Sequence, residues 1–316
     1  MAAPLTGLSP SGPGASVFFG SVISMPAPLS LLCLLPSALA MLWLVLRARW
    51  FWNHNPELRF GWIVLLLWAY LFREAWRQRP PERFQWTWRG ALLSLFGMGT
   101  LFFAQLYRTA FGVTTEGMSA LGLGTISFIA GNFEYVFGGD GLRRFAFAFA
   151  FLLLALPVPE TIYYPFVSYL QSKVAVLNVE LLNLFGVPAE RLGNAIRLPA
   201  CMVGIDEACS GIRSLQSTAM ATLFIGYLTL RKRSLQAALF GFGILLAMGG
   251  NLLRSFLLSY TAHKHGAAAI ESYHDAAGWS ILAFTAVGVA AAAWRLERWE
   301  KTLNHTRSET QTGGPS

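Results

Sequence analysis

The apolar residues of this chain occur in long blocks, and the blocks recur along nearly its whole length. A bilayer core about 30 Å thick requires about 20 mostly apolar residues in a helix. The pattern predicts an all-α polytopic integral membrane protein with about eight transmembrane helices. The predicted spans are Leu29–Leu46, Phe60–Phe72, Ala91–Tyr107, Gly117–Phe137, Phe145–Pro157, Ser214–Leu230, Ser234–Leu253 with its continuation to Tyr260, and Ala276–Trp294.

The composition agrees with this class. The 24 Lys and Arg and the 16 Asp and Glu make up 13% of the 316 residues, against about 25% in an ordinary soluble domain. This content excludes a disordered chain and a disulfide scaffold, and the long blocks argue against a soluble globular enzyme. The net charge of +8 is spread over the connectors, so it does not predict a nucleic-acid partner.

The blocks also divide the chain. Residues 1–28 are expected to be a disordered leader, and they lack the basic flank of a signal peptide. Residues 29–296 are expected to form a single transmembrane domain, and residues 297–316 a polar cytoplasmic tail whose part after Lys301 we expect to be disordered too.

The basic connectors predict the orientation, because Lys and Arg favour cytoplasmic loops. Four connectors fit one orientation: those after the second span, before the fifth, between the sixth and seventh, and after the eighth. The exceptions are Arg47, Arg49 and Arg59, which then lie outside. The long loop between Pro157 and Cys209, and the loop from Tyr260 to Ala276, also lie on this outer face.

The long outer loop contains two predicted features. Leucine and valine side chains recur at helical spacing, which predicts an amphipathic helix in the outer interface, ending at Gly186–Pro188. The pieces Ala195–Leu198 and Cys201–Ile205 predict a small hairpin. The leucine and valine positions are Leu170, Val174, Leu177, Leu181 and Leu184.

The run IDEACSGIRSLQST follows the hairpin and carries the first chemical signal. Asp206 or Ser210 can cap the next helix, so Cys209 would lie at or beside the helix N-terminus. That position stabilises negative charge and favours a reactive thiolate. Arg213, one turn later, would favour the same anion, and Glu207 lies beside the cysteine.

Two further ionisable residues lie towards the same outer face. Arg254 occurs in NLLRSF near the outer end of the seventh span, and His274 in ESYHDAAGW just before the eighth. Charged groups at membrane depth are costly and are candidates for function. We therefore predict that Cys209, Arg254 and His274 converge, with Asn251 one turn before Arg254 to orient it.

Each of these assignments has an alternative. The alternative for Arg254 is an interfacial side chain, that for Asn251 a helix–helix contact, and that for Cys209 a disulfide with Cys201. The acidic residues near the site, Asp206, Glu207 and Glu271, either meet a cation or amine or are solvated loop charges. A metal site at His263, His265, Glu271 and His274 lacks a closed set of ligands, so we expect no metal and no cofactor.

The runs ACSGIRSLQ, NLLR and YHDAAG, in this order, closely resemble the exosortase/archaeosortase family of membrane-embedded protein-sorting enzymes. The similarity covers roughly Gly61 to Trp294. It includes the PVP turn at Pro157–Pro159, Gln171, and the lead-in from Gly193 to Gly204.

The resemblance implies a cysteine transpeptidase or protease in the inner membrane, with its site facing the periplasm or exterior. Its partners would be membrane-anchored exported proteins with a C-terminal sorting signal: a short motif such as Pro-Glu-Pro, a transmembrane helix and a basic tail. An acceptor of unknown identity would receive the cleaved protein. By motif position, Cys209 matches the nucleophile, His274 the proton-transfer residue and Arg254 the third member.

Two other functions stay open at this stage. In a transporter or channel, Arg254 and Arg213 would line an anion path. A lipid- or glycan-modifying transferase would use the same outer face with a different acceptor.

Overall fold

The structure is a computed structural model that describes residues 32–80, 84–199, 201–204, 211–266 and 268–312. The predicted leader lies outside these residues. Within them the chain forms eight α-helices and one small antiparallel sheet. The helices are α1 (Leu35–His54), α2 (Gly61–Arg77), α3 (Trp88–Phe111), α4 (Thr115–Leu152), α5 (Glu160–Leu184), α6 (Ile212–Thr229), α7 (Arg233–His265) and α8 (Ala268–Thr312), and the strands are β1 (Glu190–Leu192), β2 (Ala195–Arg197) and β3 (Met202–Gly204).

Four of these helices are long and apolar enough to cross a bilayer. They are α3, α4 with the short 3-10 turn that extends it to Ala155, α7, and the part of α8 between Ser272 and Leu303. Helices α1, α2 and α6 have 20, 17 and 18 residues and overlap three of the predicted spans. The structure therefore supports a helical, multi-pass membrane protein, and the count of eight spans stays a prediction.

Helix α4 consists of two arms that fold back on each other at Gly138. This glycine has φ +68° and ψ −175°, a backbone conformation that other residues rarely adopt. In a straight helix Phe133 and Phe149 would be about 24 Å apart along the axis, yet their ring centroids are 5.3 Å apart. The two arms correspond to the fourth and fifth predicted spans, and Phe133, Phe145 and Phe149 pack between them.

Helices α3 and α4 approach each other closely because glycines line their crossing. A Cβ atom added at Gly97 would lie 2.5 Å from the backbone nitrogen of Phe128, and one at Gly124 would lie 3.0 Å from that of Leu101. Small residues allow two membrane helices to pack backbone against backbone. This crossing joins α3 to the first arm of α4.

We expect Gly97→Ala to lower the thermal unfolding midpoint of the protein in detergent. The added methyl group must push α3 away from α4, which costs about 1–3 kcal/mol. Gly99→Ala is the matched control, because a Cβ there meets nothing within 4 Å. Equal midpoints for the two variants would show that the crossing tolerates a side chain.

Helix α5 covers the predicted amphipathic stretch and ends before Gly186, but the face that packs on the protein differs from the leucine stripe, and its place in the outer interface stays a prediction. Leu184 is 80% exposed, whereas Asn178 is fully buried and its Nδ2 donates to Ser255 Oγ of α7 at 2.5 Å. The predicted apolar positions Leu177 and Leu184 therefore point away from the protein core. This hydrogen bond satisfies the amide nitrogen of the buried Asn178, whereas its Oδ1 has no partner among the described residues.

The predicted hairpin is present, with Ile196 opposite Val203 in the β2–β3 pair. Strand β1, which sequence did not predict, pairs with β2. The sheet is attached to α5, because Asn194 Nδ2 donates to Gln171 Oε1 at 2.9 Å and Arg191 donates to Ser172 Oγ at 2.8 Å. This sheet leads the chain to the segment that precedes α6.

Two local expectations were wrong. Helix α6 has Gly211 as its N-cap residue, with φ +86° and no capping side chain, rather than Asp206 or Ser210. The expected disorder after Lys301 is replaced by helix, since α8 continues through Thr312. An ion pair one turn apart, Lys301 Nζ to Glu297 Oε1 at 2.6 Å, supports this end of α8.

Candidate active site

Arg254 and His274 contact each other directly. Arg254 lies in the C-terminal third of α7 and His274 near the start of α8, and both side chains are half-buried. The Nη2 atom of Arg254 is 2.8 Å from the Nε2 atom of His274. Arg254 and His274 thus meet across two neighbouring helices, and the predicted convergence of this pair with Cys209 concerns a residue outside the described part of the chain.

This hydrogen bond determines which ring nitrogen of His274 acts as the acceptor. A guanidinium group has five N–H donors and no acceptor. The Nε2 atom of His274 must therefore accept the bond, which leaves the proton of the neutral imidazole on Nδ1. His274 is held as an N–H donor on the side of the ring that faces away from Arg254.

Gly278 provides the surface on which Arg254 rests. It lies one turn after His274 on α8, and a Cβ at this position would be 3.6 Å from Nη2 and 3.7 Å from Cζ of Arg254. A methyl group at position 278 would make ordinary van der Waals contact with the guanidinium, so Arg254 passes close to α8 beside His274.

Asn251 connects this pair to the start of α6. It is buried and lies three residues before Arg254, so both side chains are on the same side of α7. A Cβ at Gly211 would be 2.8 Å from both Cγ and Nδ2 of Asn251. Two features therefore require glycine at position 211: the positive φ and the close contact with Asn251.

A profile of the transmembrane exosortases matches residues 52–291, which is more than half of the chain. The chain belongs to the exosortase family. Searches of curated proteins and of solved structures find no match. Family membership makes the chain a membrane-embedded protein-sorting enzyme in the broad sense, with substrates that carry a C-terminal signal in a membrane.

The matched range contains all the residues predicted for the exosortase site. Three of them, Glu207, Cys209 and Ser210, fall outside the described part of the structure. Arg254 and His274 are brought together, and Asn251 lies beside Arg254. Their catalytic roles stay predictions.

Arg213 makes an ion pair that the sequence did not predict. Its Nε and Nη2 atoms both contact Oε1 of Glu57, which lies in the short 3-10 turn after α1. The pair borders a cleft of about 260 Å³ that Tyr163, Tyr164 and Gln216 also line. Two buried acceptor atoms, Glu57 Oε2 and Gln216 Oε1, have no hydrogen-bond partner among the described residues.

Two further alternatives from the sequence concern a disulfide at Cys201 and a metal site near His263 and His265. Cys201 is a free thiol whose Sγ is 3.8 Å from the carbonyl oxygen of Ala262, so the structure does not pair it with Cys209. His263 and His265 both lie on α7. No group of three His, Cys, Asp or Glu residues suited to a metal occurs in the part of the chain that was placed.

Sequence reasoning missed Glu57, Gly211 and Gly278. The two glycines lie within the motifs ACSGIRSLQ and YHDAAG, so the sequence carried a signal for both. Spacing alone does not show that Gly211 contacts Asn251 and that Gly278 contacts Arg254. Glu57 belongs to a short connector and has no sequence signal that separates it from a solvated charge.

Proposed function

We propose that this exosortase cleaves exported proteins at a C-terminal sorting signal, with Cys209 as nucleophile, and passes the new carboxyl end to an acceptor. The observation that carries the proposal is the hydrogen bond between Arg254 and His274, two residues that the family motifs mark. Family membership also favours this reading over an anion channel.

The position of Cys209 in the sequence supports its role. It precedes Gly211 by two residues, so chain length alone keeps the two Cα atoms within about 7 Å. Gly211 contacts Asn251, and Asn251 is three residues from Arg254 on the same helix. The thiol therefore belongs to the same neighbourhood as the arginine–histidine pair.

The reaction follows the usual steps of a thiol acyl transfer. The Cys209 thiol gives its proton to His274, and the thiolate attacks the scissile carbonyl carbon to form a tetrahedral oxyanion. The C–N bond then breaks, and the protonated ring of His274 gives this proton to the departing amine and becomes neutral again. The acceptor attacks the thioester that remains, its proton passes to the ring, and the ring returns that proton to the departing Cys209 thiolate.

Arg254 supplies positive charge to this sequence. Its guanidinium stabilises the thiolate before attack or the oxyanion after it, and either role lowers the barrier in a site with little water. Glu57 and Gln216 offer two hydrogen-bond acceptors in the adjacent cleft, where the N–H groups of an extended peptide would satisfy them.

We place the site on the outer face of the inner membrane, in a domain of about eight spans. The pair at Arg254 and His274, the sheet and the start of α6 lie at one end of the helices, whereas the basic runs at 77–79, 143–144 and 231–233 lie at the other. Lys and Arg favour the cytoplasmic end. Clients anchored by a transmembrane helix with a basic tail would then present their sorting motif outside.

Trapping the acyl-enzyme tests this proposal. The enzyme is co-expressed with an exported reporter that ends in Pro-Glu-Pro, a transmembrane helix and a basic tail. We expect a covalent adduct that hydroxylamine releases and that peptide mass spectrometry maps to Cys209. An adduct with lipid alone, or reporter attached to another residue, would refute peptide cleavage by this thiol.

A further inference from the structure

A second cavity, separate from the arginine–histidine pair, is bordered by three arginines. It has a volume of about 280 Å³ and lies between the C-terminal halves of α1 and α3 and the first turns of α4. Arg47 and Arg49 reach it from α1, and Arg108 from α3. Arg47 and Arg49 are two of the three basic residues that do not follow the preference of Lys and Arg for the cytoplasmic side, because they lie at the outer ends of the helices.

No acidic residue in the described part of the chain neutralises the charge of this cavity. Arg47 and Arg108 are half-buried and close enough for their charges to repel. None of the residues that line the cavity is acidic, and within the described ranges none of the three arginines has an ion pair. Gathering like charges without a counter-charge is unfavourable, so the cavity favours an anionic ligand.

The nearest acidic residue on α4 is directed elsewhere. Glu116 lies in the first turn of this helix but does not line the cavity. Its carboxylate accepts hydrogen bonds from the backbone N–H of Glu160 at 3.0 Å and from Thr115 Oγ1 at 3.2 Å. It therefore serves the junction of α4 with α5.

The rest of the cavity wall is apolar and continues onto an apolar outer surface. Phe51, Ala104 and Leu121 line the interior. Around it the helices expose large apolar side chains, which are Leu42, Leu46, Trp50, Phe103 and Leu106. In a bilayer such a surface meets acyl chains, so a ligand here has a charged end and an apolar end.

From this combination we infer that the cavity binds the phosphate headgroup of an anionic phospholipid. The guanidinium groups of Arg47 and Arg108 donate hydrogen bonds to the phosphate oxygens, because their planar array of N–H donors matches that geometry. Arg49, which is exposed, adds charge at the rim. The acyl chains lie along the exposed apolar faces of α1 and α3.

Binding of short-chain lipids to the purified full chain in neutral detergent tests this inference. The probes are dihexanoyl phosphatidylglycerol, dihexanoyl phosphatidylcholine and inorganic phosphate, and the measurement is native mass spectrometry over a range of concentrations. We expect phosphatidylglycerol to bind at least about 10-fold more tightly than phosphatidylcholine. The double variant Arg47→Gln/Arg108→Gln should lose that preference, since each charged hydrogen bond contributes about a factor of 10.

The matched control is Arg143→Gln/Arg144→Gln, which removes two arginines from the opposite end of the helices. It should retain the preference for phosphatidylglycerol. Equal binding of the two lipids by the unaltered chain overturns the inference, and that comparison requires no variant to fold. Full competition by inorganic phosphate at the concentration of the lipid also overturns it, because the site would then recognise a simple anion.

Discussion

Cys209→Ser is expected to reduce processing of a reporter with a C-terminal sorting signal by at least about 1,000-fold, at unchanged protein level. Serine has nearly the same size as cysteine, but its hydroxyl is far less acidic and is not ionised to a useful extent without a dedicated base. Loss of a nucleophile in comparable enzymes has effects of this size or larger. The measurement is the initial rate of reporter cleavage in membranes.

Cys201→Ser provides the matched control for this loss. Its thiol lies on the hairpin and contacts the backbone of Ala262, so we expect processing within about twofold of the unaltered chain. A marked gain of activity in this variant would indicate that Cys201 restrains Cys209 as a disulfide. Undiminished cleavage by Cys209→Ser would refute the proposed nucleophile.

The second large effect is expected from Arg254→Ala, which should lower kcat by about 100- to 1,000-fold with a smaller change in KM. Removal of one group that stabilises developing negative charge has this magnitude in other acyl-transfer sites. Arg254→Lys should recover part of the rate, because it restores a charge but not the planar group that rests on Gly278. The control is Arg233→Ala, an exposed arginine at the other end of the same helix.

A double variant separates cooperation from independent effects. If Arg254 and His274 act together through their hydrogen bond, Arg254→Ala/His274→Ala should be about as slow as the slower single variant. Fully multiplicative losses would show that the two residues act independently. An Arg254→Ala protein that folds and cleaves normally would remove this residue from the mechanism.

The sequence predicted the helical segments and the meeting of Arg254 with His274 because both depend on features local to each span. A long apolar segment predicts a membrane-spanning helix. A charged residue near the end of that segment indicates how deep the residue lies in the bilayer. A short connector makes two consecutive helices neighbours, so residues on either side of it can lie at a similar depth. Contact between them requires only that the helices be neighbours.

The sequence did not predict which face of α5 packs on the protein. In a soluble protein an apolar stripe faces the core, but in a bilayer lipid covers apolar side chains equally well. Leu184 is accordingly exposed, and the buried face carries Asn178, whose partner Ser255 is on a helix distant in sequence. The pairing of Arg213 with Glu57 was missed for a different reason, since it joins the first turn of α6 to a short 3-10 turn that only the fold brings beside it.

The contact between Arg254 and His274 also constrains the order of events during turnover. When the imidazole takes up a second proton, its Nε2 becomes a donor, and it then faces a guanidinium that can only donate as well. The two cations must separate, either by rotation of a side chain or by a small displacement of α7 from α8. In the proposed mechanism His274 is protonated during formation of the thioester and again during its attack by the acceptor, so the contact would open in each half-reaction and close between them, coupling proton transfer to a local movement of the two helices.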